Sequence, residues 1–311
     1  MTVLVAANFD AHEWAAWWPA LQAALPGEHL IRDRSESSAE AIDVALVANP
    51  PVGALQGLPR LRFIQSLWAG VDRLLLDASV PVHVPLARMV DPAMNTAMAE
   101  TALWAVIAQH RGFFDYASQQ RAAQWQQHAP VHADEINVAV LGLGQMGRAA
   151  AQTIARHGYR VAGWSANPAA VEGVSTSSGD ASLHAVLAAA HIVVNLLPLT
   201  PATRALFGAK TLAQMRAGAS LVNLARGAHV VDADLIAALD SGHLQHAVLD
   251  VFATEPLPAD HPYWRHPRVT VLPHVAAQTD PRSAALIAAN NVRAFRAGRV
   301  PANLVDRTRG Y

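Results

Sequence analysis

The sequence predicts an α/β protein in which parallel strands are covered by helices on both faces. Short β-rich runs alternate with alanine-rich helical stretches along most of the 311 residues. The runs are apolar almost throughout, whereas a strand with one face in water alternates apolar with polar residues. A glycine-rich turn also joins one run to the following helical stretch, an arrangement found in parallel sheets. Together these features favour parallel sheets buried between helices.

The first hundred residues hold three strand candidates, TVLVAA, DVALVA and LRFIQS, with the helical segment AHEWAAWWPALQAAL after the first. From residue 136 the alternation is stricter, and the strand candidates are INVAVLG, YRVAGW, HIVVNLL, ASLVNLA, HAVLDVF and RVTVLPH. The last segment, TDPRSAALIAANNVRAFRAGRV, predicts a terminal helix. Its cap candidates are Thr279 and Asp280, and Pro281 falls in the first turn, where proline is favoured.

Residues 91–125, between these two regions, are helical in pattern and rich in aromatic residues: Trp104, Phe113, Phe114, Tyr116 and Trp125. One interpretation is a buried crossover helix with surface cover, because apolar stripes are ordinarily core. The other is a helical arm that packs on a second subunit and buries surface that a monomer would expose. The pattern leaves both interpretations open.

The composition excludes several classes of protein. Apolar residues make up 52% of the chain and charged residues 15%, which is typical of a globular protein with a large core. The net charge of −1 gives no electrostatic reason to expect nucleic acid or anionic lipid as a partner. There is no cysteine, so disulfides and thiolate metal sites are excluded. No basic leader and no membrane-length apolar stretch is present, so a cytoplasmic location is expected.

Gly142, Gly144 and Gly147 form a G-x-G-x-x-G motif. A strand candidate precedes it, and a helical segment with Gly158 as its stop follows, which is the context that the motif needs. The first glycine permits a tight turn, the second lets the backbone approach a pyrophosphate, and the third lets the helix pack on the strand. The helix N-terminus offers N–H groups to the phosphates. This turn is therefore predicted to bind a dinucleotide.

The end of the second strand decides between the two nicotinamide cofactors. An acidic residue there accepts the ribose hydroxyls of NAD and repels a 2′-phosphate. Here the chain reads Trp164-Ser165-Ala166-Asn167, so the repulsion is absent and Ser165 offers a hydroxyl donor. NADP is therefore the expected cofactor and NAD the alternative. Arg148, Arg160 and Arg204 are candidates to supply positive charge, although surface arginines are usually solvated.

Three candidate catalytic residues follow three of the predicted strands. Arg226 follows ASLVNLA, Glu255 follows HAVLDVF by three residues, and His274 ends RVTVLPH. Ligands bind beyond the carboxyl ends of strands in open parallel sheets, so these side chains are expected at one edge. An arginine fork can hold the carboxylate of a 2-keto acid, and a histidine can deliver the proton that the developing alkoxide needs. A carboxylate beside that histidine favours its charged form and fixes its orientation.

Asp250, at the end of HAVLD, is a candidate acceptor for a hydrogen bond from the nicotinamide amide. A metal site is the competing use of the His and Glu residues. Their spacing matches no compact ligand motif, so no metal is predicted.

The motifs LGLGQMGR, NLLPLTPATR, LVNLARG, LDVFATEPLP and LPHVAAQT occur in the order seen in the D-2-hydroxyacid dehydrogenases, and the chain resembles that family over nearly its whole length. SLWAGVD and the terminal VDRTRGY narrow the likeness to the glyoxylate/hydroxypyruvate reductase A type. The resemblance implies two Rossmann-like domains with parallel sheets. Residues 1–97 and 278–311 would form a flavodoxin-like substrate domain, and residues 98–277 an inserted dinucleotide-binding domain. A helical arm over residues 95–127 would hold a homodimer together.

The resemblance also implies the roles of the site residues. Arg226 would bind the substrate carboxylate, His274 would be the acid/base, and Glu255 would be its partner. The backbone N–H groups of Ala69 and Gly70 would also contact the carboxylate, as a turn of small residues allows. The cofactor-binding set would comprise Gly142, Gly144, Gln145, Met146, Gly147, Ser165, Leu197, Pro198, Thr203, Ala225, Asp250 and His274.

Two positions depart from the family pattern. Trp68 stands where relatives often have a small residue, and it would either reshape the substrate pocket or pack at the domain junction. Ala166 stands where NADPH-preferring relatives usually have arginine, which leaves the choice between NADP and NAD to other residues.

The expected activity is reduction of a small 2-keto acid, such as glyoxylate or hydroxypyruvate, to the D-2-hydroxy acid with NAD(P)H. One alternative is reduction of bulkier aryl or branched 2-keto acids, with Trp68 as a wall of the pocket. An alternative of another class is a non-catalytic, dinucleotide-sensing binding protein. The set of Arg226, Glu255 and His274 argues against a sensor, which need not keep all three.

Overall fold

The structure, a computed structural model, describes residues 2–308 and 310. The chain divides into two compact units: unit 1 comprises residues 1–93 and 279–311, and unit 2 comprises residues 94–278. The domain boundaries predicted at residues 97/98 and 277/278 fall near these divisions, and the functional roles of the two units stay predictions. Arg309 and Tyr311 of the VDRTRGY motif lie outside the described residues.

The described residues form twelve strands: β1 (Thr2–Ala7), β2 (His29–Ile31), β3 (Ile42–Ala48), β4 (Phe63–Ser66), β5 (Leu86–Ala87), β6 (Asn137–Leu141), β7 (Arg160–Ser165), β8 (Ser175–Ser178), β9 (Ile192–Asn195), β10 (Ala219–Asn223), β11 (Leu244–Leu249) and β12 (Val269–Val271). The α-helices are α1 (Ala11–Ala24), α2 (Asp72–Leu76), α3 (Pro92–His110), α4 (Phe113–Arg121), α5 (Gln145–Arg156), α6 (Asp180–Ala189), α7 (Ala209–Gln214), α8 (Asp232–Asp240) and α9 (Pro281–Arg296). All nine strand candidates are confirmed. The sequence prediction missed β2 and β5, which are very short, and β8, which contains only serine and threonine.

Unit 1 contains a five-stranded parallel sheet in the order β2-β1-β3-β4-β5. All residues of β3 are buried, as its sequence, apolar except for Asp43, predicts for a strand covered on both faces. Helix α1 begins at a capping box in which the Asp10 carboxylate accepts from the N–H of Glu13 at 2.8 Å. Asp280 caps α9 by accepting from the N–H of Arg282 at 2.9 Å, which confirms one of the two predicted caps.

Unit 2 contains a seven-stranded parallel sheet in the order β12-β11-β10-β9-β6-β7-β8. From β6 the chain runs outward through β7 and β8, and then returns to place β9 on the other side of β6. The topological switch point therefore lies between β6 and β9, the place where open parallel sheets bind ligands. The carboxyl ends of β10, β11 and β12 continue the same edge.

The helical segment after residue 91 is two helices, α3 and α4, which are separated at Gly112. Gly112 has a φ of +66°, which a side-chain-bearing residue rarely adopts, so the helix cannot continue through it. The α4 helix ends at Arg121, so the predicted helical arm to residue 127 was too long. One face of α3 is core, with Ala102, Ala105 and Val106 fully buried. Three aromatic residues stay exposed, namely Trp104 at 43%, Phe113 at 51% and Trp125 at 95%.

Within residues 2–308, no helix is both long and apolar enough to cross a membrane.

His246 of β11 is a buried histidine of unit 2. Its imidazole stacks on Phe114 with the ring centroids 4.2 Å apart, and its Nε2 lies 2.9 Å from the Thr270 hydroxyl. Burial lowers the pKa of His246 to about 4, because the charged form loses its hydration.

We expect His246 to destabilise the native protein as the pH falls. Between pH 6.5 and about 4 the unfolded chain binds a proton that the folded chain does not, so the free energy of unfolding decreases by on the order of 3 kcal/mol. Urea unfolding of the wild type and of His246→Gln at neutral and acid pH measures the difference. The free energy of unfolding should decrease less on acidification in the variant than in the wild type. An equal decrease in both proteins would show that His246 is not the source of the acid sensitivity.

Candidate active site

The glycine turn after β6 is shaped by two close backbone approaches. Gly142 has a φ of +94°, and a Cβ there would lie 2.5 Å from the carbonyl oxygen of Leu196. A Cβ at Gly147 would overlap the carbonyl oxygen of Gly142. In contrast, a Cβ at Gly144 would meet nothing within 4 Å, and no side chain caps the N-terminus of α5 at this residue. The turn therefore leaves open space beside uncapped N–H groups, which fits a pyrophosphate.

Ser165 ends β7, as predicted, and its hydroxyl donates to the carbonyl of Asn167 at 2.6 Å. Of the three arginines considered as sources of charge, Arg148 contacts both the glycine turn and the segment after β7. Its Nε donates to the Leu143 carbonyl at 2.9 Å, and its Nη1 donates to the Ala170 carbonyl at 2.6 Å. Arg160 begins β7, at the opposite end of the strand from Ser165.

The loop after β9 lies against the glycine turn. A Cβ at Gly142 would collide with the backbone of Leu196 and Leu197 in this loop. Leu197 is buried, and the Pro198 carbonyl accepts from the Thr203 hydroxyl at 2.7 Å. The structure thus brings the predicted residues of this loop, Leu197, Pro198 and Thr203, to the switch point.

Glu255 and His274 form a direct pair. Nδ1 of His274 lies 2.9 Å from Oε2 of Glu255, while Oε1 of Glu255 accepts from the N–H of Phe252 at 2.9 Å. The carboxylate is therefore fixed by the main chain on one side and orients the imidazole on the other. The side chain of His274 is 53% exposed and that of Glu255 is 23% exposed, so the imidazole can be reached by a substrate.

Asp250 holds the backbone that carries His274. Its carboxylate accepts from the N–H groups of Val275 at 2.7 Å and Ala276 at 3.1 Å, and its carbonyl accepts from the N–H of His274. Burial raises the pKa of Asp250, while the two N–H groups oppose that rise. His274 itself has a φ of +56°, an unfavourable conformation that these contacts stabilise.

Arg226 lies beyond β10, and the loop that carries it packs on the loop that carries Glu255. A Cβ at Gly227 would overlap the backbone of Phe252 and Ala253, so the two main chains are in close contact. Nη1 of Arg226 donates to the carbonyl of buried Ala225 at 2.7 Å. Arg226, Glu255 and His274 therefore follow three neighbouring strands, at one edge of the unit 2 sheet.

The predicted substrate residues Trp68, Ala69 and Gly70 follow β4 in unit 1. The Ser66 hydroxyl accepts from the N–H of Trp68 at 3.1 Å and donates to its carbonyl at 2.9 Å, so this turn is well fixed. The ring of Trp68 packs edge-on against Trp17 and Phe9, with centroids 5.5 and 6.0 Å away. Trp68 thus belongs to an aromatic cluster of unit 1.

Sequence reasoning missed one buried polar cluster at the carboxyl edge of unit 2, formed by Asn195, Asn223 and His229. Asn195 ends β9 and Asn223 ends β10, so the available signal was an asparagine closing each of two apolar strands. In the part of the chain that the structure describes, no group of three or more His, Asp or Glu side chains could hold a metal ion.

Comparison with known proteins gives a consistent result. The family model described as "D-isomer specific 2-hydroxyacid dehydrogenase, NAD binding domain" matches residues 103–276. Glyoxylate/hydroxypyruvate reductase A of Serratia proteamaculans is 39% identical over 308 residues, with 97% of both chains covered. The corresponding protein of Yersinia enterocolitica is 37% identical with the same coverage.

Solved structures are similar over the whole chain. A D-isomer specific 2-hydroxyacid dehydrogenase from Xanthobacter autotrophicus, in complex with NADPH and MES, is 42% identical with a TM-score of 0.93, covering 100% of this chain and 99% of that one. An NADPH-dependent glyoxylate/hydroxypyruvate reductase from Sinorhizobium meliloti, in complex with NADP and sulfate, is 33% identical with the same TM-score and coverage.

Proposed function

Because this chain belongs to the D-2-hydroxyacid dehydrogenase family, we propose that it reduces small 2-keto acids, glyoxylate and hydroxypyruvate first, to D-2-hydroxy acids with NADPH. The observation that carries this proposal is the pairing of His274 with Glu255, at 2.9 Å, beside the Arg226 loop. A binding protein that only senses a dinucleotide has no need for an oriented and accessible imidazole, so the pair favours an enzyme.

In this proposal the chain's own residues bind the keto acid and move one proton. The Arg226 guanidinium holds the substrate carboxylate through two hydrogen bonds. The N–H groups of Ala69 and Gly70, in a turn of small residues, stay predicted donors to a carboxylate. His274 donates the proton of its Nε2 to the carbonyl oxygen as that oxygen becomes an alkoxide. Glu255 accepts from Nδ1, which orients the ring.

The residues at the switch point fit a nicotinamide dinucleotide. Gly142, Gly144, Gln145, Met146 and Gly147 would hold the pyrophosphate, and Ser165 the adenosine ribose end. When bound, the reduced nicotinamide supplies the hydride that the carbonyl carbon receives. The remaining contacts would come from Leu197, Pro198, Thr203, Ala225, Asp250 and His274.

Substrate size distinguishes this proposal from the reduction of bulkier keto acids. Because Trp68 is packed on Trp17 and Phe9, its ring has little freedom to move aside for an aryl group. Steady-state rates with glyoxylate, hydroxypyruvate, pyruvate and phenylpyruvate test the point. We expect the highest kcat/KM with the first two, and a preference for phenylpyruvate would replace the proposal by its bulky-substrate alternative.

We expect NADPH to be preferred to NADH, because β7 ends in Ser165 and not in an acid. Two similar structures contain NADPH or NADP. Ser165→Asp should weaken NADPH binding by about a hundredfold through repulsion of the 2′-phosphate, and leave NADH binding nearly unchanged. Calorimetric titration of both cofactors measures this, with Ser241→Asp at an exposed position as the control. Tighter binding of NADH by the wild type would contradict the preference.

We also propose a cytoplasmic homodimer held by α3, α4 and the segment that follows α4. Phe113 and Trp125 are exposed at 51% and 95%, more than a monomer ordinarily leaves for large aromatic rings. Phe113→Glu with Trp125→Glu should convert a dimer to a monomer in sedimentation equilibrium, because a shared apolar interface does not tolerate two carboxylates. Val300→Glu, which changes an exposed apolar residue of unit 1, is the control. A wild type that sediments as a monomer would remove the dimer from the proposal.

A further inference from the structure

Asn195, Asn223 and His229 form a hydrogen-bonded network that is closed to solvent, with each of the three residues 0% exposed. Nδ2 of Asn195 donates to Oδ1 of Asn223 at 2.9 Å and to Nδ1 of His229 at 3.0 Å. Asn195 is therefore the junction between the other two side chains. Burying a polar group costs free energy unless the group is hydrogen-bonded, so three buried polar side chains at this position call for a functional explanation.

One arm of the network reaches the loop after β9. Because Nδ1 of His229 accepts from Asn195, the imidazole carries its proton on Nε2. This Nε2–H donates to the Pro198 carbonyl at 3.3 Å. On the same side, Oδ1 of Asn195 accepts from the N–H of Leu197 at 3.3 Å. This arm thus fixes the backbone of Leu197 and Pro198, which are members of the proposed cofactor site.

The other arm reaches the loop after β10. Nδ2 of Asn223 donates to the Arg226 carbonyl at 3.0 Å, and its Oδ1 accepts from the N–H of Ala225 at 3.3 Å. This arm fixes the backbone from which the Arg226 guanidinium extends. The donors and acceptors alternate along the whole network, so neither amide can flip without breaking bonds in both arms.

The network therefore joins one loop of the proposed cofactor site to the loop of the proposed carboxylate-binding arginine. The two loops also pair directly, since Phe207 N–H donates to the His229 carbonyl at 2.8 Å and Ala205 N–H to the Ala228 carbonyl at 2.8 Å. Ordinary packing of two loops does not need buried amides and an imidazole. Apolar side chains of similar shape fill such a space at less cost.

We propose that His229 is a positioning residue for the reduction, acting through Pro198 on cofactor binding and through Asn195 and Asn223 on Arg226. This inference rests on the proposed function of the same site. It predicts that the hydrogen bond at Nε2 affects the binding of the nicotinamide dinucleotide, whereas the hydrogen bond at Nδ1 affects the binding of the keto acid.

Two substitutions at one position separate these effects. His229→Asn places an amide near the former Nδ1, which keeps the contact with Asn195 and loses the reach to Pro198. It should raise the Kd of NADP⁺, measured by calorimetry, by about fivefold to tenfold and leave the KM of hydroxypyruvate within about twofold. His229→Gln keeps a donor near Nε2 and loses the Asn195 contact. It should raise the KM of hydroxypyruvate by about fivefold to tenfold and restore the affinity for NADP⁺.

His246→Asn is the matched control, because His246 is another buried histidine of unit 2 and makes its contact with Thr270. It should lower the midpoint of thermal unfolding without changing the Kd of NADP⁺ or the KM of hydroxypyruvate. The inference is overturned if both constants change together in both His229 variants, or if neither changes. Wild-type protein that does not bind NADP⁺ or reduce hydroxypyruvate would refute the proposed function instead, before any variant is compared.

If neither His229 variant is soluble, nitrogen NMR of the histidine rings in the wild-type protein decides the question. The inference requires His229 to carry its proton on Nε2, and requires its ring signals to shift when NADP⁺ saturates the protein. A proton on Nδ1, or signals that NADP⁺ leaves unchanged, would overturn it.

Discussion

Replacement of His274 by alanine should lower kcat for hydroxypyruvate reduction by roughly a thousandfold, while the Kd of NADPH should change by less than about twofold. The reason is the geometry of the pair. Glu255 Oε2 orients the imidazole from 2.9 Å, and the half-exposed ring is the group proposed to protonate the alkoxide. Without it, water has to supply the proton, and water is neither positioned nor acidic enough to match the imidazole.

Single-turnover rates and a fluorescence titration with NADPH measure the two effects separately. His157→Ala is the matched control, because His157 is an exposed histidine after α5 whose Nδ1 contacts only the Thr153 carbonyl among the described residues. It should behave as the wild type. A His274→Ala enzyme with wild-type kcat would show that another group delivers the proton.

Replacement of Arg226 by alanine should lower kcat/KM for the keto acid by roughly a hundredfold to a thousandfold, mostly by raising KM. The guanidinium is the group proposed to hold the substrate carboxylate, and its loop is fixed both by Asn223 and by contact with Phe252. Arg226→Lys should recover only part of the loss, because an ammonium keeps the charge but cannot form the two parallel hydrogen bonds.

The measurement is a substrate saturation curve at saturating NADPH for both variants. Arg216→Ala, at an exposed position after α7, is the control and should leave KM unchanged. If Arg226→Lys has the KM of the wild type, the positive charge alone is sufficient to bind the substrate carboxylate. An unchanged KM in Arg226→Ala would show that the carboxylate binds elsewhere.

The strand–turn–helix around Gly142 was predictable because each of its constraints is local. Gly142 needs a positive φ and Gly147 has no room for a Cβ, so the glycine spacing, between a strand candidate and a helical segment, marks the turn. The pairing of Glu255 with His274 was predictable for a related reason. Both follow adjacent strands of one parallel sheet, and the carboxyl ends of such strands share an edge.

The Asn195–Asn223–His229 network was not predictable in the same way. It depends on the register that puts Asn195 beside Asn223 across β9 and β10, and on a turn that returns His229 to the same place. Each residue alone is an unremarkable polar side chain in the sequence. The left-handed backbone conformation of His274 could not be predicted from the sequence either. It is stabilised by the contacts of Asp250 with Val275 and Ala276, and no glycine marks the position.

The break between α3 and α4 shows how one residue overrides a helical pattern. Aromatic and alanine residues continue past it, so periodicity favoured a longer helix. Gly112 stops the helix with a positive φ, and a Cβ there would lie 2.7 Å from Nδ1 of His128.

The most direct test of the account follows hydroxypyruvate through one complete reaction. Purified protein is mixed with NADPH and hydroxypyruvate, NADPH oxidation is followed, and the glycerate formed is resolved on a chiral column. We predict saturable turnover that yields D-glycerate, because the accessible His274–Glu255 pair and Arg226 follow neighbouring strands of the sheet whose glycine turn fits the dinucleotide. Tight binding of NADPH with no turnover, or formation of the L-isomer, would contradict the account.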